Sequence, residues 1–334
     1  ETMSKWNVFV YHKESNASGA EAFAMVTRAT LSGKIQSGKT PVVEYKRQAD
    51  AAWSTLAASA VKVSGTSFTA SLTGLKAATA YQYRVSVDGT AGEEQSFTTV
   101  EAVPLTNGGF DDWSSVAVGK NTLWQPWAEG GTSFWDTGNK GATTVGNSNS
   151  TPTTETSTGS GQAASLESKY IVLKFAAGNI FTGTYVRTDG TNGVLQFGRP
   201  FTSFPSKLRI HYKYNCVPIN KSGDDDFKYL VGRPDSCQVY IALTDWDAPL
   251  EIRTRPSERQ LFDPSDPKVI AYGELTKGEP VSSWTQADIV LDYRYTNRTP
   301  KYIVVVASAS KYGDYFTGGE GSKLWLDECE LIYD

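Results

Sequence analysis

Apolar and polar residues alternate at short intervals along most of the chain, and runs with helical 3.6-residue spacing are nearly missing. Between positions 22 and 100, "AFAMVTRATL", "PVVEYKRQ", "SFTASLTGL", "YQYRVSV" and "QSFTTV" read as strands divided by Gly, Ser or Asp turns. That rhythm predicts a small sandwich, with "WNVFVYH" as an edge strand. The alanine-rich "QADAAWSTLAASA" has no helix caps and reads as strand and loop. Pro104 and the pair Gly108-Gly109 in "EAVPLTNGG" mark a boundary. Longer strands follow, among them "KLRIHYKY", "QVYIALTDW", "ADIVLDYRY", "KYIVVVAS" and "SKLWLDECELIY". Residues 137–162 are nearly devoid of apolar side chains, so they are expected to form a long surface loop or to be partly disordered. The expectation is an all-β chain of two domains, 1–103 and 104–334.

Composition narrows the class. With 32 basic and 36 acidic residues the net charge is −4, which argues against nucleic acid as a partner. No apolar run is long enough to span a bilayer, and no signal segment opens the sequence. The 17 Tyr, 9 Trp and 30 Gly suit extracellular β-structure. Cys216 ends one expected strand and Cys237 begins the next, so either a disulfide across a hairpin or two buried thiols fits them, while Cys329 reads as a buried thiol on the face of Trp325 and Leu331. Two histidines, His12 and His211, and no CxxC spacing make a His-based zinc site improbable.

Two resemblances sharpen this picture. In "LTGLKAATAYQYRV", Leu75, Thr79 and Tyr81 stand at the spacing of the tyrosine corner, and the first domain resembles a fibronectin type III or immunoglobulin-like module. That resemblance implies a spacer. "NGGFDDW", "FWDTGN", "GNIFTGTY", "FGRPFTSFPSKLRIHYKY" and "SKYGDYFTGGEGSKLWLDECELIYD" together resemble the putative carbohydrate metabolism domain (PCMD) of glycan-degrading gut bacteria. This implies a larger jelly-roll, galactose-binding-like sandwich, secretion, and an outer-membrane lipoprotein displayed on the cell surface.

Sugar recognition needs flat rings that stack on a pyranose, with polar groups beside them for its hydroxyls. Trp124, Trp127 and Trp135 lie among such residues in "LWQPWAEGGTSFWDTGN". Trp127, flanked by Pro126 and "AEGG", is the expected platform ring, whereas core packing competes for the other two. On a strand, Asp245 and Asp247 share one face with Trp246 on the other, and Arg253 and Arg255 are placed to neutralise them. Such a pair binds hydroxyls, holds a cation or serves a glycosidase, or is simply solvated. In jelly-roll modules the first and last strands often share a structural calcium. Here Asp111 and Asp327 offer hard oxygen ligands for it, with hydrogen bonding to backbone amides as the alternative role. The glycine-rich "SASKYGDYFTGGEGS" lacks the phosphate-binding pattern, and His211 has no nucleophile partner. The leading expectation is a non-catalytic, cell-surface binder of a glycan or oligosaccharide. The alternatives are a glycoside hydrolase using paired carboxylates and an adhesive protein that binds other proteins.

Overall fold

The computed structural model describes residues 17–334, so the expected edge strand at 6–12 and His12 lie outside the described residues. The chain divides into two compact units, 1–101 and 102–334. Every strand pairing among the described residues is antiparallel, and the chain is all-β.

The first unit is a small sandwich. One sheet joins Ala17–Ala24, Ala29–Ile35, Ser67–Leu72 and Val61–Ser64, and the other is centred on Val42–Arg47 and Ala80–Val87. Alternation along Ala80–Val87 sends Tyr81, Tyr83, Val85 and Val87 inward against Leu31, Val43, Phe68 and Leu72. The corner is built as the sequence suggests. Leu75 and Tyr81 are buried, and the Tyr81 hydroxyl accepts from the Lys76 amide at 2.9 Å.

The second unit packs two sheets face to face in a jelly-roll sandwich. Five strands run in the order Ser150–Thr153, Ala163–Glu167, Lys323–Ile332, Lys207–Asn215, Val281–Val290. The opposing sheet has Asn179–Asp189, Tyr302–Ser308, Cys237–Thr244 and Val269–Lys277 at its centre. Leu208, Ile210, Tyr212 and Tyr214 meet Val239, Ile241, Leu243, Ile303 and Val305 in the core between them. The outer face of the second sheet is apolar too, with Phe181, Phe197, Ala242, Trp246 and Val304 in a second layer. A sheet covered on both faces yields near-continuous apolar strands such as "YIVVVA".

Two local expectations are corrected. Residues 137–162 do not form a bare surface loop, because Asn139–Ala142 is a helical turn and Ser150–Thr153 an edge strand. Thr137, Asn139, Thr143, Ser148, Asn149 and Ser150 are buried, and their side chains bond the backbone in place of apolar packing. Along Lys323–Ile332, Cys329 and Leu331 face the core with Leu324 and Leu326, but Trp325 is on the opposite face. Glu328, at φ +44°, forms a bulge that shifts the register against Lys207–Asn215 and exchanges the faces. All three cysteines are free thiols, and burial pushes the Cys237 thiol up to about 12.

Candidate functional site

A cleft of about 600 Å³ opens in the second unit, within the size range of small-ligand sites. Five separate stretches of chain build its walls: Tyr170 with Leu173–Phe175, Thr191-Asn192, Asn220–Gly223, Pro256 and Phe316. The first is a hairpin in which Lys169–Ile171 pairs with Lys174–Ala176. Its two-residue turn places Val172 and Leu173 at φ +41° and +67°, the positive pattern of a type I′ turn that Asn and Gly normally fill. These apolar side chains are nevertheless exposed, Leu173 at 85%, and Leu173 lines the cleft. Gly223 lets the opposite wall approach, since a Cβ there would lie 2.8 Å from Cβ of Phe316.

Rings and cations are paired around this space. The Lys174 ammonium lies 3.9 Å from the Phe316 ring centre and donates to Thr191 Oγ1 at 2.8 Å and Asn192 Oδ1 at 2.7 Å. Burial, then the nearby Arg255, holds its pKa below the usual lysine range. Lys221 Nζ sits 4.2 Å from the Tyr170 ring centre. The lining thus combines three aromatic rings, the amides of Asn192 and Asn220 and two ammonium groups, and it contains no carboxylate.

Residues 109–332 match the family model described as the putative carbohydrate metabolism domain. The chain belongs to this family. In the first unit, residues 27–99 match the purple acid phosphatase N-terminal domain, a fibronectin-like β module. A crystal structure of a putative glycoside hydrolase from Bacteroides vulgatus is 22% identical, covers 67% of this chain and 96% of its own, and superposes with a TM-score of 0.51. Another from Bacteroides thetaiotaomicron is 18% identical over 91% of this chain and 86% of its own, with a TM-score of 0.52. No curated protein matches the chain. At these identities the solved structures establish the shared fold.

Within the carbohydrate metabolism domain the residues singled out by sequence do not converge on the cleft. Trp135 is fully buried against Phe110 and Phe134, and its indole donates to the Thr106 carbonyl at 2.8 Å. It is a core ring with no face left for a sugar. Trp124 lies half-buried on the strand Asn121–Gln125, and Trp127 is half-buried in the following turn. Neither lines the cleft.

Asp245 and Asp247 follow the strand Cys237–Thr244 rather than lying on it. Arg298 holds Asp245 in a two-pronged bond at 2.7 and 2.9 Å, and Lys301 and Lys268 face Asp247 at 3.3 and 3.7 Å. Arg253 and Arg255 instead pair with Glu251 and Asp189. Trp246 is buried in the outer apolar layer.

Asp327 Oδ2 accepts from the amide and hydroxyl of Ser157, and Asp111 Oδ1 accepts from the Gln162 amide. Segment 157–162 therefore bridges the two. Asp111 and Glu328 also face each other across Gly109, and burial, then Asp327 and Asp111, raises the Glu328 carboxyl above its ordinary range. Among the described residues, no group of three or more His, Cys, Asp or Glu side chains is arranged to hold a metal ion.

Sequence reasoning missed the cleft and one acid near it. Asp314, two residues before Phe316, keeps much of its surface open, yet surrounding protein crowds it and desolvation lifts its carboxyl above the usual range despite Arg259. Arg259 stacks 4.6 Å from the Tyr315 ring centre and pairs with Asp224 at 2.9 Å, which leaves its Nε and Nη2 buried without hydrogen-bond partners. Tyr315 itself packs on Phe227, 4.1 Å between ring centres. The glycine and aromatic content of this loop was the one available signal.

Proposed function

We propose that the chain is a non-catalytic glycan-binding protein whose sugar site is the cleft between the 169–176 hairpin and Phe316. One observation carries the reading: rings, amides and ammonium groups line the space without a carboxylate. Rings and amides supply what a pyranose needs, whereas acid–base glycoside hydrolysis needs two carboxyl groups flanking the bond. Membership of a carbohydrate-related family supports the ligand class. In this reading the protein is secreted and held at the cell surface by a lipid anchor, with the first unit as a spacer.

The test is a glycan array with the intact chain, with and without EDTA, followed by titration of the hits. Tyr170→Ala removes a 38%-exposed ring and is expected to weaken binding at least about tenfold, or about 1.4 kcal/mol. Loss of binding in Trp127→Ala with none in Tyr170→Ala would move the platform to Trp127 and end the cleft reading. Loss in EDTA would point to calcium shared by Asp111 and Asp327. A blank array, with no rise in melting temperature at high sugar concentration, refutes sugar binding.

A further inference from the structure

We infer that the cleft selects an anionic sugar, one carrying a carboxylate or sulfate, through Lys174 and Lys221. The inference rests on the glycan-binding reading and adds the charge of the ligand to it.

Both ammonium groups belong to the cleft wall, and no lining residue is an acid. Lys174 is held by two neutral acceptors, Thr191 Oγ1 and Asn192 Oδ1, and by the Phe316 ring. Lys221 is held over the Tyr170 ring. These contacts fix the two cations in place without neutralising either. The flanking acids are kept occupied, Asp189 by Arg255 at 3.0 Å and Asp224 by Arg259 at 2.9 Å. What remains is net positive charge in a partly desolvated space beside stacking rings. A charged group that enters such a space makes charge-assisted bonds about twice as strong as neutral ones. An ammonium is a compact point charge, so it suits a carboxylate and a sulfate alike. A neutral sugar would leave both cations uncompensated, whereas an anionic one also relieves the crowding of Lys174 by Arg255.

The experiment is calorimetric titration of the intact chain with four probes: an oligogalacturonate, its carboxyl-reduced neutral counterpart, a sulfated galactan oligosaccharide, and inorganic sulfate. At least one anionic oligosaccharide is expected to bind tenfold or more tighter than the neutral oligomer. That gap should close in Lys221→Met and in Lys174→Met and shrink as salt rises from 0.05 to about 0.5 M. The partner probe identifies the source, carboxylate or sulfate. Equal binding of neutral and anionic oligomers, both lost in Tyr170→Ala, overturns the charge inference and leaves glycan binding standing. Inorganic sulfate binding as tightly as the sulfated oligosaccharide keeps the charge selection and overturns the sugar reading. No binding by any probe overturns the charge inference, and a glycan array with hits elsewhere then shows that sugar binding survives it. Thermal melting of both lysine variants, read against the unmodified chain, separates lost charge from lost fold.

Discussion

Asn139 provides a quantitative check on the polar segment that the structure folds into the sandwich. It is 1% exposed, and its amide nitrogen donates to the carbonyls of Trp124 at 2.9 Å and Ser150 at 2.7 Å. Its amide oxygen accepts from the Ser150 N–H at 3.0 Å. One side chain therefore satisfies three backbone groups on two other stretches. Asn139→Ala orphans all three, and each unsatisfied buried group costs about 1–3 kcal/mol. Taking about 1–2 kcal/mol for each of the three groups gives a loss of about 3–6 kcal/mol, a large part of a domain's total stability. Asn139→Asp keeps the shape but aims a carboxylate at two carbonyls, so it should cost at least as much. Urea unfolding followed by tryptophan fluorescence reads the loss as a shifted midpoint at unchanged slope. Val145→Ala, at a 55%-exposed side chain, is the control and should stay within about 0.5 kcal/mol. A loss below about 1 kcal/mol in both Asn139 variants would refute the claim that these bonds hold the segment.

Three further outcomes are expected. Tyr81→Phe deletes the acceptor of the Lys76 amide and should destabilise the first unit by about 1 kcal/mol in the same unfolding assay. Val172→Asn with Leu173→Gly should stabilise the hairpin by about 1–2 kcal/mol, because these residues tolerate positive φ, and weaken ligand binding by removing an apolar cleft wall; unchanged stability would refute the strain. Burial raises the Asp235 carboxyl, so the folded state binds its proton more readily than the unfolded chain and this group's contribution declines as pH rises through the folded pKa. In Asp235→Asn, stability against pH just above the ordinary carboxylate range should therefore fall less steeply than in the parent, and an unchanged slope would exclude Asp235 as its source.

Much of the scaffold was legible because strand alternation is local. "KLRIHYKY" states its buried face residue by residue, and the tyrosine corner compresses Leu75 and Tyr81 into seven positions. Alternation misleads where the backbone breaks step. The bulge at Glu328 reverses the faces of Trp325 and Cys329 with no glycine to mark it. Composition misled at residues 137–162, where polar side chains replace apolar packing through bonds to strands that a window on the sequence does not include. Tryptophan content drew attention to Trp135, whose ring is consumed by the core. The partner of Asp245 is Arg298, far along the chain, so its neutralisation had no local signature. The cleft was illegible for the same reason: Lys174, Asn192, Lys221 and Phe316 form no motif until the fold gathers them.

That gathering has a thermodynamic consequence. Since the cleft draws its walls from positions 170 to 316, partial unfolding of any contributing stretch destroys it, and a ligand stabilises the whole second unit rather than a single loop. A ligand at a hundred times its Kd adds about 2.7 kcal/mol to the folded state. For a unit of this size that is a rise in melting temperature of about 5–11 °C. Weak sugars, invisible at the concentrations of an array, would thus announce themselves as heat resistance, and the fold itself would serve as the detector.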